Sequence, residues 1–145
     1  MLGVQKAGNL QEKTELEHLL QKTQKFTCAI IACPVQPHEV WEAYNTMYIP
    51  SVTYPMGSTS FDANEIKTLH VALLPRLLPQ LGIASTFPRD VIFGPVYFGG
   101  KEIKDLEAEQ GGQKILTLIK HIRVGTKVGK TFEILFRWAQ MQAGT

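Results

Sequence analysis

From Glu12 to about Ala32, apolar side chains recur at Leu16, Leu19, Leu20, Phe26, Ile30 and Ile31, with Glu15, Glu17, Lys22 and Lys25 between them. This three-and-four spacing predicts one stripe of an amphipathic helix. Cys33-Pro34 should end it, because proline disfavours helical geometry in the residue before it. Gln36-Pro37-His38-Glu39 opens a second helix, with Pro37 in its first turn. That helix carries Val40, Trp41, Tyr44, Met47 and Tyr48 up to Pro50, and Ser51–Ser60, with Pro55 and Gly57, predicts a loop.

Ser60-Phe61-Asp62 starts a third helix, with Asp62 or Ser60 as cap and Glu65 in the first turn. Ile66, Leu69, His70, Leu73, Leu74, Leu77, Leu78 and Leu81 follow at helical spacing. Pro75 and Pro79 fall inside the pattern and predict a kink or two shorter helices. Gly82 marks the stop. Residues 83–100 are rich in Gly and Pro, with Val91-Ile92-Phe93 as at most a short extended piece. A fourth helix is expected from about Lys104 to Val124, disturbed at Gly111-Gly112, stacking Ile115, Leu118, Ile119 and Ile122. After Gly125 and Gly129 comes a last helix, Lys130–Gln142. There Phe132, Leu135, Phe136 and Ala139 make one apolar stripe, and Ile134, Trp138 and Met141 a second. Two such stripes predict a buried helix or a partner surface. The expected class is mainly α: a bundle of about five helices with an irregular Gly/Pro segment.

The chain has 145 residues, 44% hydrophobic and 19% charged. That suits one domain, or a piece of one, with a packed core. The charged share is below the usual ~25%, which hints at faces that are buried or covered by a partner. No apolar run reaches the ~18 residues of a membrane span, and no secretory signal opens the sequence. The expected setting is therefore intracellular, nucleus or cytoplasm, without a membrane role.

The net charge of +2 divides unevenly along the chain. Residues 1–72 hold five basic and seven acidic side chains; residues 73–145 hold ten basic and six acidic. Lys114, Lys120, Arg123, Lys127 and Lys130 follow one another with no acid between them. Such a run can neutralise phosphates, though a solvated helix face has the same composition.

Other chemistry is weakly signalled. Gly125-Thr126-Lys127-Val128-Gly129-Lys130-Thr131 resembles a phosphate-binding P-loop, but has three residues between the glycines where that loop has four, and no strand before it. Cys28, Cys33, His38 and His70 match no zinc spacing, and Cys28 reads as a buried free cysteine. His18, His70 and His121 lack a nucleophile nearby. Asp105, Glu107 and Glu109, next to Lys101 and Lys104, read as a solvated, salt-bridged face. No catalytic constellation and no cofactor site emerge.

Several segments, taken in order, carry a resemblance. Leu2-Gly3-Val4 is followed by a polar stretch and a long helix. Then come Trp41-Glu42-Ala43-Tyr44 and Met47-Tyr48-Ile49-Pro50-Ser51-Val52-Thr53-Tyr54-Pro55. Leu74-Pro75-Arg76-Leu77-Leu78-Pro79-Gln80-Leu81-Gly82 is next, and after it Phe87-Pro88-Arg89-Asp90-Val91-Ile92-Phe93-Gly94-Pro95 with Phe98-Gly99-Gly100. Glu109-Gln110-Gly111 and His121-Ile122-Arg123 close the series. This set resembles the region that follows the catalytic centre in non-LTR-type retroelement reverse transcriptases, RNA-directed DNA polymerases. One departure is that Lys101-Glu102 stands where that family has Leu-Gly after the paired glycines.

The resemblance implies a single thumb-like helical domain. Residues 1–60 would be helices leaving the palm junction, 61–82 the Leu/Pro-rich helix, 83–103 the Gly/Pro loop and 104–145 the basic C-terminal helices. It also implies a grip on the template–primer duplex, an RNA–DNA or other duplex held without reading its sequence. Lys114, Lys120, Arg123, Lys127, Lys130 and Arg89 are the candidate nucleic-acid-binding residues, with Arg76 a lesser one. Lys120, Arg123 and Lys127 would share one side if the fourth helix persisted through Gly125. Arg137 is equally placed for a phosphate or an i,i+4 pair with Glu133. Trp41, Tyr44 and Trp138 are expected to pack in the core. The Tyr-x-Asp-Asp carboxylates that hold two Mg²⁺ ions in such polymerases are absent, so no polymerase activity is expected. The other expectations are a helical protein–protein interaction module that docks on a polymerase palm or fingers segment or self-associates through its last helix, and a retroelement remnant with no function.

Overall fold

The computed structural model describes residues 11–144, so Leu2-Gly3-Val4 lies outside the described residues. These residues are mainly helical and contain no strand. In order they form α1 (Gln11–Ala32), α2 (Pro37–Ala43), a π turn (Tyr44–Tyr48), α3 (Ile49–Met56), α4 (Ala63–Gln80), α5 (Arg89–Phe93), a 3-10 turn (Val96–Phe98), α6 (Leu106–Val124) and α7 (Lys127–Ala143).

α1 packs along α4 on the stripe the sequence suggests, with Ile31 as the exception. Leu19 and Ile30 are buried, Leu16, Leu20 and Phe26 partly so, and Ile31 is exposed. Thr23 and Thr27, which the apolar pattern leaves out, are buried beside them. They can be buried there because their hydroxyls are satisfied: Thr23 Oγ1 donates to the Leu19 carbonyl at 2.9 Å and Thr27 Oγ1 to that of Gln24 at 3.0 Å. Cys28 and Cys33 are both exposed, which overturns the buried reading of Cys28.

The second helix does not stop at Pro50. The expected loop over Ser51–Ser60 is helical as far as Met56, and α2, the π turn and α3 follow one another without a break. Pro50 has no N–H to donate, and its ring would press on the carbonyl four residues back. The chain absorbs this in the wider π turn just before it, where the Ile49 N–H reaches back five residues to the Tyr44 carbonyl. Asn45 Nδ2 donates to the Trp41 carbonyl and Thr46 Oγ1 to the Glu42 carbonyl, at 2.9 and 2.7 Å. The π turn also aligns the core. Val40, Tyr44, Tyr48, Val52 and Met56 are all buried, four residues apart throughout. In a plain α-helix such a series drifts about 40° per step; the wide turn rotates it back.

α4 starts as expected. Asp62 caps it, and Glu65 Oε2 accepts the Asp62 N–H at 2.9 Å. Pro75 and Pro79 do not split it: one helix runs from Ala63 to Gln80. Val71, Pro75 and Pro79 all lie on its exposed side, so water can satisfy the carbonyls the prolines leave free. Gly82, at φ +72°, ends the run.

Val91-Ile92-Phe93 belongs to α5 rather than to an extended piece. Pro88 starts the turn, its carbonyl accepts the Ile92 N–H, and Ile92 is buried. The loop after α5 folds back on it: Lys101 N–H bonds to the Val91 carbonyl, Glu102 N–H to Gly94 and Ile103 N–H to Ile92. Gly94 and Gly100 touch backbone to backbone, leaving no room for a Cβ on Gly100. Glu102 is the one non-glycine with positive φ among the described residues, at +56°.

Three contacts pin the start of α6 to the core. Tyr44 Oη accepts the Lys104 N–H at 3.2 Å, and His70 Nε2 accepts the Leu106 N–H at 3.3 Å. Gln110 Oε1 and Nε2 bond the N–H and carbonyl of Phe61 at 2.9 and 3.1 Å. Beyond Gln110, α6 buries no further side chain and continues unbroken past Gly111-Gly112 to Gly125, where φ is +65°. α7 begins at Lys127, three residues earlier than expected, and packs chiefly on α6 as a helical hairpin.

Candidate nucleic-acid interface

The hairpin is held closed at its tip by residues of the P-loop-like stretch. Thr126 caps α7, its Oγ1 accepting the Gly129 N–H at 3.1 Å. The same oxygen lies 3.1 Å from His121 Nδ1. Gly129 is the buried residue of α7, pressed against the His121 carbonyl and the Ile122 nitrogen. These glycines and this threonine therefore build a helix–helix corner. Among the described residues no strand precedes the stretch, as a P-loop would require.

This corner sets where the basic side chains stand. Gly125 ends α6, so Lys120, Arg123 and Lys127 do not share one helix face as the uninterrupted helix would have allowed. Instead Lys120 and Arg123 sit in the last turns of α6, and Lys127 and Lys130 in the first turn of α7. At 1.5 Å of rise per residue, all four lie within about 8 Å of the turn along the two helix axes. All four are exposed, and among the described residues none makes an ion pair. Arg123 and His121 complement the negative end of α6, whereas Lys127 and Lys130 add to the positive end of α7. The result is a positive tip with no ion-pair partner among the described residues.

The remaining candidates lie elsewhere. Lys114 is half-buried and lines a groove with Ile115, Leu118, Phe132 and the turn 57–60. Arg89 starts α5 and lines a separate cleft with Lys67, His70 and Phe93. Arg76 is engaged with α1, its Nη1 donating to Thr27 Oγ1 at 3.4 Å. The expected Glu133–Arg137 pair does not form.

Trp138 is 56% exposed, which overturns its assignment to the core, while Tyr44 is buried and Trp41 packs against the core. Asp105 does not pair with Lys101 or Lys104. It caps α6, its Oδ1 accepting the Glu107 N–H, and lies 3.8 Å from His70 Nε2.

The apolar spacing places His70 on the inner stripe of α4 but does not signal its bond to the start of α6. Burial pushes its pKa below the ordinary value, and Arg89 adds to this; Asp105 and Glu107 pull the other way. Its ring lies against that of Phe93, tilted by 32°, with centroids 5.2 Å apart. Among the described residues no group of three His, Cys, Asp or Glu side chains could hold a metal ion, and no helix is long and apolar enough to cross a membrane.

Compared with protein-family models, with curated proteins and with solved structures, the chain matches none.

Proposed function

We propose that this chain is the thumb-like region of a non-LTR-type retroelement reverse transcriptase, non-catalytic by itself, which holds a nucleic-acid duplex through its phosphates. The observation that carries this reading is the hairpin tip, where Lys120 and Arg123 near the end of α6 and Lys127 and Lys130 at the start of α7 are all exposed and free of carboxylate partners among the described residues. Cations so placed fix a duplex by its backbone and do not discriminate between sequences. The ordered likeness to the polymerase family supports the same reading. Its segments supply Tyr44, Gly94, Gly100 and Gln110, which here hold the loop and α6 in place. Duplex contact is thus assigned to the basic tip, and the likeness to the scaffold that presents it.

The test is a salt titration of binding to an RNA–DNA duplex. Affinity should fall steeply with added salt, and replacing Lys120, Arg123 and Lys127 with Ala should reduce the log–log slope by about 2–3. A wild-type chain with no measurable affinity at low salt would overturn the proposal.

A further inference from the structure

Charge accounts for the tip of the hairpin but not for its sides. Phe132 and Leu118 flank a groove of about 390 Å³ between α6, α7 and the turn 57–60, with Ile115 beside them and Lys114 at its edge. Leu135 and Phe136 continue the Phe132 stripe at helical spacing and are 52% and 50% exposed. Phosphates would leave these side chains uncovered. The groove is also built rather than incidental: Gly129 locks α7 onto α6, and Gly57 backs against the Thr117 hydroxyl.

We infer that this groove receives an amphipathic helix of a partner protein whose polar face is acidic. Apolar side chains of such a helix would fill the space over Ile115, Leu118 and Phe132, spaced as helix-in-groove partners are. Its carboxylates would meet Lys114, which makes no ion pair or hydrogen bond among the described residues.

Charge selects this occupant. Lys114 is the one charged side chain among the residues that line the groove, and no carboxylate lines it. A second copy docking by the same surface would bring lysine against lysine, which disfavours a symmetric dimer. A lipid bilayer offers negative charge but is flat, and would not enter a recess rimmed by Ser58, Thr59 and Ser60. The inference does not depend on duplex binding, which uses the tip.

The test uses the full chain and designed helical peptides of about 18 residues, with a Leu stripe and either a Glu or a Lys polar face. Binding is followed by titration calorimetry. The Glu-faced peptide should bind at least about tenfold more tightly than the Lys-faced one. Lys114→Glu should narrow or invert that preference while leaving the circular dichroism unchanged, and Phe136→Ser should weaken the Glu-faced peptide. Ile134→Ser, in the other stripe of α7, should leave binding as it is. Equal affinity for both peptides would overturn the inference, as would a preference that Lys114→Glu does not touch. So would a concentration-dependent dimer, or binding to vesicles containing phosphatidylserine, with no uptake of the Glu-faced peptide. Salt-dependent duplex binding can persist or fail in any of these outcomes, so the two proposals fall separately.

Discussion

The side-chain amide of Gln110 closes a ring with the backbone of Phe61, accepting its N–H and donating to its carbonyl across 49 positions of sequence. Both residues are buried, so neither Phe61 group has water as a substitute. Gln110→Ala should therefore cost about 2–3 kcal/mol, two bonds lost and two backbone groups stranded. Gln110→Glu should also destabilise, since a carboxylate has no proton for the Phe61 carbonyl. Urea unfolding measures both.

Glu102 holds a left-handed backbone at the position where the resembled family has glycine. Left-handed geometry costs an ordinary residue about 1–2 kcal/mol, and glycine returns part of that gain as entropy of the unfolded chain. Glu102→Gly should thus stabilise the fold by about 0.5–1 kcal/mol. Glu102→Ala should give no such gain, because alanine has the same difficulty with φ. Thermal melts of the two variants side by side decide this.

Gly129→Ala should open the hairpin. A Cβ there would run into the His121 carbonyl, a backbone atom that cannot swing aside. The expected result is loss of α7 packing, seen as reduced protection of its amides from hydrogen exchange. The core around α1 and α4 should be unaffected. Duplex binding should weaken too, because Lys127 and Lys130 would no longer be held beside Lys120 and Arg123.

The stability of the fold should depend on His70. Its pKa is lowered on folding, chiefly by burial, so the unfolded chain binds a proton more readily than the folded one. The contribution is fully present above the unfolded value of about 6.5 and is lost as pH falls below it through the lower folded value. Protonation also removes the lone pair that accepts the Leu106 N–H. Wild type should lose stability as pH falls below about 6.5, and His70→Gln should flatten that part of the curve. Tyr48 acts at the other end: burial pushes its pKa up to about 12, so stability falls as pH rises above 10.

What could be read in advance was local. The start of α4 follows from Asp62 and Glu65, its end from Gly82, and the end of α6 from Gly125, because each is decided within one turn of helix. The mainly helical class follows from spacing in the same way. What could not be read depends on neighbours far away in sequence. Pro50 looks like a stop until the π turn and the buried series through Tyr44 and Tyr48 are seen to carry the helix through it. The two stripes of α7 are visible in the sequence, but only packing shows that little covers either of them. The same holds for Cys28 and Ile31, which lie just off the inner face of α1. At the basic site, the run of cations was legible but its shape was not. A turn at Gly125, in place of a continuous helix, folds a line of charge into a cluster.

The π turn also decides what a change of length in this part of the chain would do. Deleting one residue between Tyr44 and Tyr48 would let the segment wind as a plain α-helix without turning α3 relative to α2, because eleven residues at about 100° each bring Val52 to within about 20° of Val40. Val52 and Met56 would keep the row that Val40 begins. An inserted residue would instead turn α3 by about 100° unless a second wide turn took it up. Loss of a residue here should therefore be tolerated better than gain of one.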